Sequence, residues 1–252
     1  PGMARSGQNG PAEAPLSSTL SPAEVADLIA VAHALADAAR PVTLAQFRTG
    51  IAAADKAAHG LRYDPVTEAD RASERAMRDI LAARRPQDAI LGEEFGPQAG
   101  TSGLTWVLDP IDGTRGYISG TPTWGVLIGV ADSSGPLFGI IDQPYIRERF
   151  EGGFGRARVT GPSGRAPLVT RGERSLDQAI LLSTFPEIGT EAERHAFQAV
   201  ARQVRLTRYG TDCYGYALVA AGQVDLVIEA GLHPYDVHGP IAVVQAAGGV
   251  VT

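Results

Sequence analysis

The chain has 252 residues, 44% of them hydrophobic and 20% charged, long enough to bury about 70–75% of its unfolded surface. That excludes a peptide, a fibre and a wholly disordered chain. Twenty-eight acidic against 22 basic side chains give a net charge of −6, so no overall positive field gathers a nucleic-acid backbone or an anionic membrane.

Pro1 and Gly2 stand ahead of Met3 and read as an appended scar. Residues 1–20, rich in Gly, Pro, Ser and Ala, are expected to form a flexible tail. Ser21-Pro22-Ala23-Glu24 combines a capping Ser, Pro at the first helical position and Glu at the third, followed by Val25, Leu28, Ile29, Ala32, Leu35, Ala36 and Ala39 at helical spacing. The spacing predicts an amphipathic helix, and Asp27, His33 and Asp37 interrupt it too often for a membrane span. Residues near Thr49 to Tyr63 are weakly strand-like. Thr67-Glu68-Ala69-Asp70 repeats the cap pattern and opens a second helix from Glu68 to Arg84, stopped near Pro86.

From Ala89 the period changes. Short apolar runs at Ala89–Leu91, Leu104–Leu108, Trp124–Ala131, Leu137–Asp142 and Arg147–Glu151, with turn signals between them, predict a sheet that is mainly antiparallel. The Gly/Pro/Arg-rich stretch from Gly152 to Pro167 is read as a boundary, giving an N-terminal α+β half (21–155) and a C-terminal α/β half (156–252) with the site between them. The second half alternates strand 179–183, helix 191–203, helix 214–221, strand 224–228, helix 237–247 and a last strand 249–251 that the chain end cuts short. Helix and sheet in alternation imply an α/β or α+β layered fold.

The chemistry concentrates in Trp106-Val107-Leu108-Asp109-Pro110-Ile111-Asp112-Gly113-Thr114. An apolar strand delivers Asp109 to its end, Pro110 fixes φ, and Asp112 follows three residues later. Two carboxylates about 4 Å apart repel by on the order of 4 kcal/mol at an effective dielectric of 20, so the pair calls for a cation, a shared proton or solvent. Gly113 and Thr114 permit close backbone approach, and a helix starting there would set an anion site beside the cation. Glu93 and Glu94 after the strand at Ala89, Asp70 in the first turn of the second helix, and Asp236 at the start of the last helix are further acids at element ends. Singly, Asp70 and Asp236 read equally well as helix caps and Asp112-Gly113 as a turn. An all-oxygen donor set selects a hard ion such as Mg²⁺ over Zn²⁺. Cys213, the single cysteine, forms no internal disulfide and suits the cytoplasm.

At Gly92-Glu93-Glu94, the Asp109 to Thr114 string, Tyr235-Asp236 and Ala246-Ala247-Gly248-Gly249, the sequence resembles the inositol monophosphatase family of Mg²⁺-dependent phosphatases over about Ser21 to Thr252. The resemblance implies a five-layered αβαβα sandwich of the sugar-phosphatase type and two or three Mg²⁺ per site. It assigns Glu93, Asp109 and the Ile111 carbonyl to one metal and Asp109, Asp112 and Asp236 to a second, with Asp109 bridging. It makes Asp70 and Thr114 the water-activating pair, rests the phosphate on the amides of Gly113 and Thr114, and implies in-line attack by an activated water without a phosphoenzyme. A homodimer is expected from the same likeness.

Within that family, Thr121 to Gly125, Ile141 to Pro144 with Arg149-Phe150, Arg208 to Tyr214 and Asp225 to Asp236 are most similar to the branch acting on histidinol phosphate. That small phosphate ester carries an amine and an imidazole, which Asp212 and Glu229 would pair with. Asp212 reads nearly as well as a helix cap. Glu229 also matches the position that binds a hydroxyl in inositol phosphatases, so inositol 1-phosphate and other sugar or nucleotide phosphates remain alternatives. A non-catalytic, cation-stabilised scaffold is the alternative of another class. The alanine pair common in relatives after Val237 is replaced by His238-Gly239; His238 is read as an ordinary helix-start residue in preference to a substrate contact, and Cys213 is read as a small buried residue near the pocket.

Overall fold

The computed structural model describes residues 20–50, 54–55 and 65–252. The expected tail up to residue 19 and most of the weakly strand-like stretch lie outside them. The chain runs α1 (Pro22–Gln46), β1 (Ala54–Asp55), β2 (Pro65–Val66), α2 (Glu68–Arg84), β3 (Ala89–Gly92), β4 (Gly96–Gln98), β5 (Thr105–Asp112), α3 (Thr114–Ser119), β6 (Gly125–Asp132), β7 (Gly135–Gln143) and β8 (Glu148–Gly153). Then follow β9 (Arg156–Gly161), β10 (Gly164–Pro167), β11 (Ile180–Ser183), α4 (Glu191–Ala201), β12 (Leu206–Tyr209), α5 (Tyr214–Ala220), β13 (Leu226–Val227) and α6 (Pro234–Ala246).

Both capping boxes form. Ser21 Oγ accepts from the Glu24 amide at 3.3 Å while the Glu24 carboxylate takes the Ser21 amide at 2.8 Å. α1 continues past Ala39, the last of the periodic apolar residues, and passes through Pro41 to Gln46. Its apolar stripe of Leu28, Val31, Ala32, Leu35 and Ala36 is buried against Met77 and Leu81 of α2 and Trp106, Ile128 and Ile140 of the sheet, the stripe a core helix needs.

The large sheet has eight strands in the order β10-β9-β8-β7-β6-β5-β3-β4, antiparallel throughout except for the parallel pair β3 and β5. The stretch read as a boundary therefore forms two strands, β9 and β10, that extend this sheet. A small parallel sheet, β12-β11-β13, follows. α1 and α2 cover one face of the large sheet, α6 with α5 lies on the other, the small sheet packs on α5, and Phe197 of α4 joins Leu181 and Ile188 beyond it. The result is the five-layered αβαβα sandwich. The expected strand at 249–251 is irregular, with Val250 85% exposed, because among the described residues no strand lies beside it to complete its hydrogen bonds.

Glycines set the spacing between α6 and the sheet. A Cβ on Gly139 of β7 would stand 2.2 Å from the Gly239 carbonyl oxygen, and one on Gly152 of β8 2.5 Å from Val243 Cα. Backbone packs on backbone there. His238 is accordingly an interior residue of α6 lying over Gly129 of β6, not a helix-start residue.

Candidate active site

β5 ends irregularly, with its register to β6 shifting between Asp109 and Asp112. Such irregularities re-aim side chains and recur beside active sites. Asp109 Oδ1 accepts the Ile111 amide at 3.1 Å, an Asx-type turn across Pro110. Gly113 then adopts φ +82°, a left-handed conformation that a side chain would strain, and α3 begins at Thr114. A Cβ at Gly113 would also meet Asp212 Cγ at 2.6 Å. The Tyr117 hydroxyl donates to the Thr43 carbonyl at 2.7 Å, and Tyr117 packs edge-on against Trp124, so α3 is fixed from below.

Oxygens of Asp109, Asp112 and Asp236 lie within 4.8 Å of one another. Glu93, one residue beyond β3, hydrogen-bonds Asp109, and its amide donates to the Leu108 carbonyl at 3.1 Å. Burial, then the charges of Glu93, Asp112 and Asp236, push the Asp109 carboxyl well above the ordinary carboxylate range. Burial, then Asp212 and Asp236, do the same to Asp112, against a 2.6 Å hydrogen bond from the Cys213 amide. The charged side chains that act most on either carboxyl are other acids. Several carboxylates so placed, with an all-oxygen donor set, fit a hard divalent cation.

Two of the acids do two jobs. Asp70 is fully buried; its Oδ2 accepts the Thr67 amide at 2.8 Å and the Thr67 hydroxyl at 2.5 Å, capping α2, while its Oδ1 lies 3.5 Å from Thr114 Oγ1. Thr114 Oγ1 is also 3.1 Å from the Ile111 carbonyl oxygen. Asp236 Oδ2 accepts the His233 amide at 2.6 Å, capping α6, and still belongs to the acidic cluster. For Asp236, cap and acidic cluster, alternatives in the sequence, coincide in the structure, while Asp70 completes the cap of α2 and touches Thr114.

Glu93, Asp109, Asp112, Thr114 and Asp236 line a cleft of about 350 Å³ together with Asp212 and Glu229, with Asp70 and Thr67 outside it. Asp212 sits at φ +46°, and its Oδ2 accepts from Thr123 Oγ1 at 2.9 Å. Burial raises its carboxyl above the usual range, against that hydrogen bond and the Arg115 charge. Glu229 accepts the Thr184 amide at 2.6 Å and hydroxyl at 2.9 Å, and burial raises it too. Cys213 is buried at the cleft wall, with its thiol pushed up by burial and by Asp112. Arg115, whose guanidinium lies 4.9 Å from the Phe185 ring centre, also lines the cleft; nothing in the sequence pattern singled it out.

The profile of the Inositol monophosphatase family matches residues 24–252. The chain belongs to the inositol monophosphatase family. It is 41% identical over 238 residues to the bifunctional phosphatase IMPL2, chloroplastic, of Arabidopsis thaliana, covering 93% of this chain and 66% of that protein. It is 33% identical to a histidinol-phosphatase of Streptomyces coelicolor, covering 90% and 86% of the two chains. Its fold superimposes on an inositol monophosphatase from Zymomonas mobilis with a TM-score of 0.78 at 38% identity, covering 91% and 85%. As an inositol monophosphatase family member, the protein is a metal-dependent phosphomonoester hydrolase.

Proposed function

We propose that this cleft hydrolyses L-histidinol phosphate to L-histidinol and phosphate, with Mg²⁺ as cofactor. The observation that carries the substrate is the pair Asp212 and Glu229, two carboxylates on the cleft wall outside the Asp109, Asp112, Asp236 cluster, hydrogen-bonded by Thr123 and Thr184, with Arg115 as a charged neighbour of Asp212. A substrate bearing an amine and an imidazole supplies cations to both. The histidinol-phosphatase of Streptomyces coelicolor at 33% identity supports the same reading.

In this reading Glu93, Asp109 and the Ile111 carbonyl hold one ion, and Asp109, Asp112 and Asp236 hold another. When bound, Mg²⁺ supplies a water of lowered pKa and stabilises charge on the phosphate and leaving oxygens. The amides of Gly113 and Thr114 receive the phosphate oxygens. The Thr114 hydroxyl, between the Ile111 carbonyl and Asp70 Oδ1, takes the proton of the attacking water as it passes its own to Asp70. The Thr67 amide and hydroxyl bond to Oδ2 of Asp70, and the Thr114 hydroxyl reaches Oδ1. Residues from before and after the large sheet's last strands, Glu93 to Arg115 and Thr184 to Asp236, line this cleft, and a cytoplasmic homodimer is the expected setting.

Glu229 also supports a second reading, inositol 1-phosphate or another sugar phosphate, whose hydroxyls a carboxylate accepts equally well. The test is Mg²⁺-dependent phosphate release from histidinol phosphate, inositol 1-phosphate and fructose 1,6-bisphosphate. The highest kcat/KM is expected for histidinol phosphate; a higher value for inositol phosphate overturns the substrate.

A further inference from the structure

Glu74 has no place in the chemistry above, yet it is an acidic residue fully buried one helical turn after Asp70 on the same face of α2. Its carboxylate reaches across to the turn that follows β3. Oε2 accepts the Glu94 amide at 2.7 Å, and Oε1 accepts the Phe95 amide at 3.3 Å and Arg78 Nε at 2.8 Å. Arg78 Nη2 in turn donates to the Gly96 carbonyl at 2.5 Å. The turn from Glu93 to Gly96 is thus held by a carboxylate on its amides and a guanidinium on its carbonyl. A Cβ on Gly92 would stand 2.0 Å from Glu74 Oε1, so the carboxylate fits only because residue 92 is glycine.

A buried carboxylate is costly unless charge-assisted hydrogen bonds satisfy it, and three donors do so here. The structure satisfies that demand immediately beside Glu93, whose own amide is tied to β5. We propose that Glu74 is a positioning residue for Glu93: by fixing the amides that follow Glu93, it sets where the Glu93 carboxylate stands relative to Asp109, and so sets the affinity of the site for Mg²⁺. The inference rests on the reading of Glu93 as a metal ligand. It adds that one face of α2 serves the site twice, through Asp70 on the hydroxyl of Thr114 and through Glu74 on the backbone behind Glu93. Residues that orient metal ligands from behind commonly cost 10–100-fold in metal affinity when replaced.

The test is a Mg²⁺ titration of Glu74→Gln read in two ways: the rise in Tm that Mg²⁺ causes without substrate, and the Mg²⁺ concentration for half-maximal phosphate release. Both midpoints are expected to rise about tenfold, with most of kcat recovered at saturating Mg²⁺. Leu81→Ala, in the buried core of the same helix, is expected to lower the metal-free Tm and leave the Mg²⁺ midpoints unmoved. If Glu74→Gln behaves like Leu81→Ala, its role is merely structural and the proposal is overturned. Should Glu74→Gln fail to fold, Arg78→Met decides: a smaller rise in the midpoints is expected, and unchanged midpoints overturn the proposal. Glu93→Gln, run alongside, separates the two layers. Unchanged midpoints in that variant remove Glu93 as a ligand, whereas a rise there with none in Glu74→Gln removes the positioning role alone.

Discussion

On the α1 side of the large sheet, Asp142 and Glu151 are buried as deeply as Asp109, yet each meets basic side chains supplied by the chain, two arginines at Asp142 and an arginine and a histidine at Glu151. Asp142 takes Arg40 Nη2 at 2.5 Å and Arg149 Nε at 2.6 Å; Glu151 takes His33 Nε2 at 2.7 Å and Arg158 Nε at 2.6 Å. Burial alone would raise the Glu151 carboxyl, but the His33 hydrogen bond and the Arg158 charge outweigh it and hold it below the usual range. Across the sheet, Asp109 and Asp112 have each other, Glu93, Asp212 and Asp236 as charged neighbours, and they are raised. Two sets of buried acids in one sheet therefore differ in who neutralises them. Where basic side chains do so, the result is a structural clamp between α1 and strands β7 and β8; where acids crowd one another, the arrangement fits an ion from solution.

The sharpest way to break this comparison is Asp112→Asn. It is expected to lower kcat by at least about 10³ at saturating Mg²⁺, on the scale of losing a metal or oxyanion contact, while the metal-free protein melts no lower than wild type, because a repelling charge is gone. Steady-state kinetics and metal-free melts check both parts. Retained turnover would remove the two-metal reading.

The converse change is Arg149→Met. It leaves Asp142, fully buried, with Arg40 as its remaining cation and is expected to destabilise the fold by about 3 kcal/mol. Urea unfolding measures the loss, and the Mg²⁺ midpoint for activity is expected to stay where it was.

The two regions also respond oppositely to pH. Asp109 and Asp112 have folded-state pKa values above their unfolded ones, so the metal-free native state binds more protons, and its stability falls as pH rises from about 4 through the raised values. Glu151 is lowered, so its contribution is complete above about pH 4.5 and is lost as pH falls through its folded value. Melts from pH 4 to 8 in EDTA are expected to show a Tm that declines with pH, the stability falling by up to about 1.4 kcal/mol per pH unit per proton, and a decline abolished by Mg²⁺. A metal-free Tm that rises over this range would contradict the raised carboxyls.

The smallest effect is expected for Asp212→Asn: KM for histidinol phosphate rises about tenfold, the worth of one exposed-to-partly-buried charge pair, and inhibition by inorganic phosphate stays unchanged. An unchanged KM would leave Asp212 as a structural brace on Gly113.

Much of this was legible in the sequence because it is local. Ser21 with Glu24, and Thr67 with Asp70, announce their helices within four residues, and α2 runs over the expected Glu68 to Arg84. The acids of the site were legible as element ends. What escaped depends on distant partners. β9 and β10, rich in Gly and Arg and largely exposed, gain strand character from pairing with β8 and each other, and β12 gains it from β11. The 249–251 run, apolar but without a neighbour, stays irregular. Glu74 reads as one more solvated acid in a helix of charges, because the amides that claim it come 20 and 21 residues later.

The contact between Gly139 and Gly239 bears on all of this from a distance. Asp236 stands one helical turn before Gly239, and the depth at which α6 seats is fixed by a glycine that has neither charge nor hydrogen-bonding side chain. A single methyl group at position 139 would act as a wedge, lifting the helix and widening the gap between Asp236 and the pair on β5. The resulting enzyme would keep every functional group and still be mistuned for its ion.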